Sequence, residues 1–250
     1  MEYPVTLEGI CLKYHNKMIT IYTITYNESL LIQFMIDHYR SRFPDCRIVV
    51  YDNMSTDETV KIALANGCEV IPFDTDNQYQ DRRLMDIKNS CWKEAKTDWV
   101  LMCDLDELLD INEAELKMEE DSGTSIITPE GYNMVDMKDG SGIADMKYGA
   151  RCDGLDKFCL FNKKFINEIN YGIGCHECNP QGSIAYSNKP YKLYHYCFIN
   201  ENMTVEKRRA YGARLSPENL ETGWSGHYLF TPEETHDEYV DARSRAIKVR

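Results

Sequence analysis

Asp98-Trp99-Val100-Leu101-Met102-Cys103-Asp104-Leu105-Asp106-Glu107-Leu108-Leu109 is the stretch on which the fold turns. Residues 99–103 form an unbroken apolar run without helical periodicity, the pattern of a buried strand. The run leads straight into acids. Open α/β sheets bind ligands outside the carboxyl ends of their strands, so Asp104 and Asp106 stand where a site would form. In an extended segment, carboxylates two residues apart point to one side and could share a divalent cation. Taken alone, the same residues also read as a solvated acidic turn opening the next helix.

Outward from this stretch, strands and helices alternate. Met18-Ile19-Thr20-Ile21-Tyr22-Thr23-Ile24 has the β-branched and aromatic composition of a central strand and ends at Thr25-Tyr26-Asn27-Glu28. A helix is expected from Ser29, with Leu30, Leu31, Phe34, Met35 and His38 on one stripe, closing before Pro44. His38 reads there as a packed residue. Arg47-Ile48-Val49-Val50-Tyr51 is a second strand. It runs into a polar loop in which Ser55 and Glu58 have capping-box spacing, followed by a helix that Gly67 terminates. Residues 68–73 give a third strand and residues 80–95 a third helix. This alternation predicts a parallel sheet with helices on its faces. Residues 5–12 could add an edge strand. After Asn112 the alternation stops. A short helix at 113–118, strands at 124–128, 132–135, 158–161, 183–186 and 191–196, and helices at 203–214 and 232–248 would extend the sheet and build the far wall of a cleft.

With 250 residues, 43% of them hydrophobic, the chain can bury a proper core as one domain. A net charge of -13 argues against nucleic acid as a partner, which needs a basic stripe. No apolar run approaches the ~18 residues of a membrane span. The ten cysteines fit buried thiols in a reducing compartment better than a disulfide framework, so a soluble, cytoplasmic protein is expected. The sequons beginning at Asn27, Asn53 and Asn202 would matter only in a secreted protein.

The glycine loops that usually cradle nucleotide phosphates are missing. Polar clusters follow three strands instead: residues 25–28, 52–57 and 104–107. Thr25-Tyr26-Asn27-Glu28, the loop Asp52-Asn53-Met54-Ser55-Thr56-Asp57-Glu58-Thr59, and Asp98-Trp99-Val100 leading into Asp104-Leu105-Asp106-Glu107 together resemble the GT-A fold, family 2-like nucleotide-sugar glycosyltransferases over residues 18–110. Tyr194-His195-Tyr196 followed by Glu206-Lys207-Arg208 is similar to a His-Tyr then Lys-Arg segment of one subgroup. The resemblance implies an α/β fold of GT-A (Rossmann-like) type, with a mostly parallel central sheet, helices on both faces and a mixed α+β second half. Residues 1–250 would form a single domain, 18–110 the nucleotide-sugar-binding half and 111–250 the acceptor-side half with C-terminal helices.

The activity implied is metal-dependent transfer of a sugar from a nucleoside diphosphate sugar, a UDP-sugar favoured, to a hydroxyl of a saccharide or glycoconjugate acceptor, with inversion. Thr25 and Asn27 would lie at the nucleotide, Asp52 would accept a hydrogen bond from the base, and Lys88 would reach the donor. Asp104 would touch ribose or metal, and Asp106 would hold Mn²⁺ or Mg²⁺ on the diphosphate, whose leaving charge needs neutralising. His195 is the third candidate ligand, imidazole suiting Mn²⁺, with His176 in its glycine-rich loop the other. The proton acceptor is expected to be Asp153, then Glu177. Lys157 is expected to pair with Asp156. Met54 departs from the family in replacing the usual glycine of the Asp52 loop, and Thr25 lacks the common preceding proline. The rival readings are an Asp-dependent phosphohydrolase using Asp104 and Asp106, a catalytically inactive nucleotide-sugar-binding module, and a structural zinc site from Cys175, Cys178, His195 and Cys197.

Overall fold

The computed structural model describes residues 18–137 and 142–250; the possible edge strand at residues 5–12 lies outside them. Strands β1 (Ile19–Thr25), β2 (Arg47–Asp52), β3 (Glu69–Pro72) and β4 (Trp99–Met102) are parallel, and β8 (Leu160–Asn162) closes the sheet antiparallel in the order β3-β2-β1-β4-β8. Helices α1 (Ser29–Arg42), α2 (Thr59–Ala65) and α3 (Asp81–Ser90) connect the parallel strands, and a 3-10 turn at Cys91–Glu94 prolongs α3. Alternation along the strands divides the core between two faces. Ile21, Ile48, Val50 and Leu101 pack with α1, whereas Tyr22, Val49, Val100 and Met102 pack with Ile87 and Trp92 on the opposite side. This is the expected α/β architecture with a mostly parallel central sheet.

The second half differs from expectation, because only β8 extends this sheet. The other strands build a second five-stranded sheet, in the order β12-β7-β6-β11-β5. Its members are β5 (Glu107–Leu109), β6 (Pro129–Val135), β7 (Tyr148–Arg151), β11 (Tyr191–Phe198) and β12 (Ile247–Lys248). A short hairpin, β9 (Ile166–Glu168) with β10 (Gln181–Gly182), stands apart. Around them lie α4 (Glu113–Asp121), α5 (Glu201–Gly212), α6 (Pro217–Thr222) and α7 (Pro232–Arg245). Residues 124–128 and 183–186 are not strands: Ile126 makes isolated bridges to Phe161 and Tyr186. The last expected helix stops at Arg245, after which β12 pairs with β7.

Local chemistry corrects other expectations. Ser55 and Glu58 form no capping box; the Ser55 hydroxyl accepts from the Asn27 amide at 2.9 Å, and Asp57 Oδ1 accepts from the Thr59 amide that opens α2. Leu30 is exposed, and the buried face of α1 is instead Leu31, Ile32, Met35, Ile36, His38 and Tyr39. His38 is packed as expected, its Nε2–H donating to the Leu109 carbonyl at 2.9 Å. Tyr39 takes the amide of the same residue at 3.2 Å. Helix α1 thus grips β5, the strand that leaves the acidic stretch.

Candidate active site

The chain runs β1 to β2 to β3 in one direction across the sheet and then returns to place β4 on the other side of β1. Strand order therefore reverses between β1 and β4, and a crevice opens beyond their carboxyl ends, the usual ligand position in such sheets. A cavity occupies it. Ile24 and Thr25 come from the end of β1 and Tyr26 directly follows it, Asp104 and Asp106 come from the passage after β4, and Glu107 opens β5. The far wall comes from the second half and includes Lys157, His176, His195, Lys207 and Tyr228.

Asp104 and Asp106 do not share one side of an extended segment. Residues 103–106 make a tight passage between the two sheets, with the Glu107 amide donating to the Asp104 carbonyl at 3.0 Å, and the two carboxylates splay toward different cations. Asp104 meets Lys88 of α3 at 2.6 Å and Lys157 at 3.7 Å. Asp106 meets Lys207 of α5 at 2.9 Å and His195 Nε2 of β11 at 3.5 Å. Burial works against ionising both acids, but Lys88 and Lys157 hold Asp104 below the ordinary carboxylate range, and Lys207 with His195 holds Asp106 well below it. Lys207 also pairs with Glu28 at 2.6 Å, so one ammonium ties the end of β1 to the acidic passage.

His195 donates Nδ1–H to Asn133 Oδ1 at 2.9 Å, and the Cys197 thiol donates to the same oxygen. Burial disfavours charge on this imidazole, yet Cys197 and Asp106 outweigh it and raise its pKa well above the usual value. Asp106 and His195 converge on one corner of the cavity, and a carboxylate with an imidazole suits Mn²⁺ in donor type, whereas Mg²⁺ takes oxygen ligands. A cation there would displace the His195 proton. Asp104 faces the lysines, and among the described residues no three His, Cys, Asp or Glu side chains are gathered to hold a metal on their own. The zinc grouping is not assembled either, since Cys197 is turned to Asn133.

The other sequence candidates fall in several places. Thr25 lines the cavity, and its hydroxyl is buried without a hydrogen-bond partner. Asp52 Oδ1 is likewise buried and unpartnered while Oδ2 accepts from the Ser55 amide at 3.0 Å; the neighbouring Asn53, not Asp52, reaches the cavity wall. Asn27 ties two strand-end loops together by accepting from the Thr56 amide at 2.7 Å. Lys88 does not line the cavity but reaches Asp104 as a buried side chain at 2.6 Å, whereas Asn89 clamps the backbone of Tyr171 from both sides, at 3.0 and 2.8 Å. Asp153 is 92% exposed and pairs with Arg151, and neither it nor Glu177 lines the cavity. Lys157 does not pair with Asp156, which instead holds Arg151 at 2.6 Å; Lys157 is buried against Glu107 at 2.5 Å. Sequence reasoning assigned no role to Lys207 or to the Lys157–Glu107 pair. Lys207 had one signal, its place in the Lys-Arg segment.

Aromatic residues close the cavity roof. Tyr211 and Tyr228 stack with centroids 5.0 Å apart, Tyr79 meets both edge-on, and the Arg214 guanidinium lies 3.2 Å over Tyr26 while Nη2 donates to Asn53. These contacts hold the segment between α5 and α7 against the loops that follow β1, β2 and β3.

No curated protein matches the chain. Among solved structures, S. aureus TarS 1-349 in complex with UDP-GlcNAc is similar at 15% identity over 78% of this chain and 66% of that one, with a TM-score of 0.43. Glucosyl-3-phosphoglycerate synthase from Mycobacterium tuberculosis, in complex with Mn²⁺, UDP and glucosyl-3-phosphoglycerate, matches at 16% identity over 53% of this chain and 50% of that one, with a TM-score of 0.33. The chain thus spans less than two thirds of each of these proteins. The model of glycosyl transferase family 2 matches residues 20–120, which run from β1 through the acidic passage and α4. Over these residues the chain is similar to glycosyl transferase family 2.

Proposed function

We propose that the chain transfers a sugar from a nucleoside diphosphate sugar, with a UDP-sugar favoured, to a hydroxyl of a saccharide or glycoconjugate, with inversion at the anomeric carbon. The observation that carries this reading is the family 2 match over the strands whose carboxyl ends form the cavity. The nucleotide lies over Thr25 with Asp52 and Asn53 behind it, and the diphosphate faces the acidic passage. Lys88, Lys157 and Lys207 supply positive charge at that level, which an acidic protein without a phosphate loop requires. Asp106 with His195 would hold the divalent cation. Bound there, the cation would neutralise the leaving diphosphate. Among the described residues no helix is long and apolar enough to cross a membrane.

A thermal-shift panel of nucleoside diphosphate sugars, each with and without Mn²⁺, tests the reading. A donor at about a hundred times its Kd should raise the melting temperature by about 5–10 °C, and Asp106→Ala should remove the Mn²⁺-dependent part. If no donor shifts the wild type and Asp106→Ala changes nothing, the proposal fails. A donor that binds without being turned over would favour the inactive binding module.

A further inference from the structure

Transfer to a hydroxyl needs a group that takes its proton, and the carboxylates of the cavity wall are all engaged. Glu28 pairs with Lys207, Asp104 with Lys88, Asp106 with Lys207 and His195, and Glu107 with Lys157. Asp81 accepts from Ser225 and Asn219. His195 is committed at both ring nitrogens, Nε2 toward Asp106 at 3.5 Å and Nδ1 to Asn133 at 2.9 Å, so neither faces an acceptor. His176 is different. Its Nδ1 lies 2.6 Å from the Gly154 carbonyl oxygen. A carbonyl cannot donate, so Nδ1 carries the hydrogen, and in the neutral ring Nε2 keeps its lone pair.

The ring is also seated. It folds back over Gly174, where a Cβ would stand 2.6 Å from Cδ2 and 2.8 Å from Nε2 of His176, and Gly174 adopts φ +67°. The positive φ favours glycine there, and a Cβ would push the ring out of this position. The side chain lines the cavity and is at the same time exposed to solvent. A fixed tautomer, a ring braced by a backbone carbonyl and a position between cavity and solvent are the arrangement of a general base.

We propose that His176 is the catalytic base of the transfer, an inference that rests on the glycosyltransferase reading. As the acceptor oxygen bonds to the anomeric carbon, the bond from that carbon to the diphosphate oxygen breaks and its electron pair leaves with the diphosphate. The acceptor hydroxyl's proton passes to Nε2. The same step with water as acceptor is donor hydrolysis, which needs no knowledge of the natural acceptor.

The test is the pH–rate profile of UDP release from UDP-glucose and UDP-N-acetylglucosamine with Mn²⁺, in full-length wild type, His176→Gln and His176→Ala, beside thermal shifts with UDP and Mn²⁺. His176→Gln should lower kcat by about 10²–10⁴-fold, abolish the acidic limb and keep the UDP and Mn²⁺ shifts. Free imidazole should restore part of the rate in His176→Ala. Unchanged kcat in a folded His176→Gln overturns the proposal, as does loss of the acidic limb in Asp153→Asn, Glu177→Gln or His227→Gln instead. Loss of the Mn²⁺ shift in His176→Gln also overturns it, making His176 a metal ligand. A wild type that neither binds nor hydrolyses a donor overturns the glycosyltransferase reading itself, and the base assignment with it.

Discussion

Removing the ammonium of Lys157 tests how the floor of the cavity is held. Lys157 and Glu107 side chains are 7% and 3% exposed and lie 2.5 Å apart. Lys157→Met leaves the Glu107 carboxylate buried with no cation, and breaking a buried pair from one side costs about 3–5 kcal/mol. Against a total stability of about 5–15 kcal/mol that is a large fraction, and at about 2–4 °C per kcal/mol for a chain of this size it lowers the melting temperature by about 6–20 °C. Replacing both partners, Lys157→Met with Glu107→Gln, removes the orphaned charge and should recover most of the loss. Urea denaturation of wild type, both single variants and the double variant closes the cycle. A single-variant cost under about 1 kcal/mol, or a double variant no better than the sum of the singles, would refute the claim that these groups form a desolvated, mutually dependent pair.

Two further measurements address the scaffold. Burial, with Arg42 nearby, lowers the His38 pKa to about 4, whereas in the unfolded chain it is about 6.5; the unfolded state therefore takes up a proton first as pH falls, and stability should drop by about 2 kcal/mol between pH 7 and pH 5. His38→Gln should flatten that slope, and an unchanged pH dependence of unfolding counts against it. Met54 sits at φ +58°, a left-handed conformation that favours glycine, so Met54→Gly should stabilise by about 0.5–1 kcal/mol in the same denaturation assay, and a loss of stability would contradict this.

Much of the first half was legible because its signals are local. An apolar run such as residues 99–103 needs no distant partner to read as a strand, and four strands alternating with three helices leave few topologies. The resemblance added that the three polar strand ends belong together, and β1–β2 register places Thr25 opposite Asp52. The second half was less legible for the opposite reason. β5 has three residues and β10 two, too short for any periodicity, and their pairing depends on strands far along the chain. The same distance hid the charges: Lys207 reaches Asp106 across 101 positions and Lys157 reaches Glu107 across 50. Lys157 was assigned to its sequence neighbour Asp156, but Arg151 and the Gly131 amide already occupy that carboxylate.

The passage from β4 to β5 has only four residues, Cys103 to Asp106, with a hydrogen-bonded strand at either end. It therefore has no slack for insertions or deletions. One added residue would shift β5 by one position against β11 and turn Glu107 to the opposite face of its sheet, away from Lys157. The interval between the two aspartates is thus a tolerance imposed by joining two sheets, and drift in chain length at this point is barred by folding before any ligand exerts its own demand.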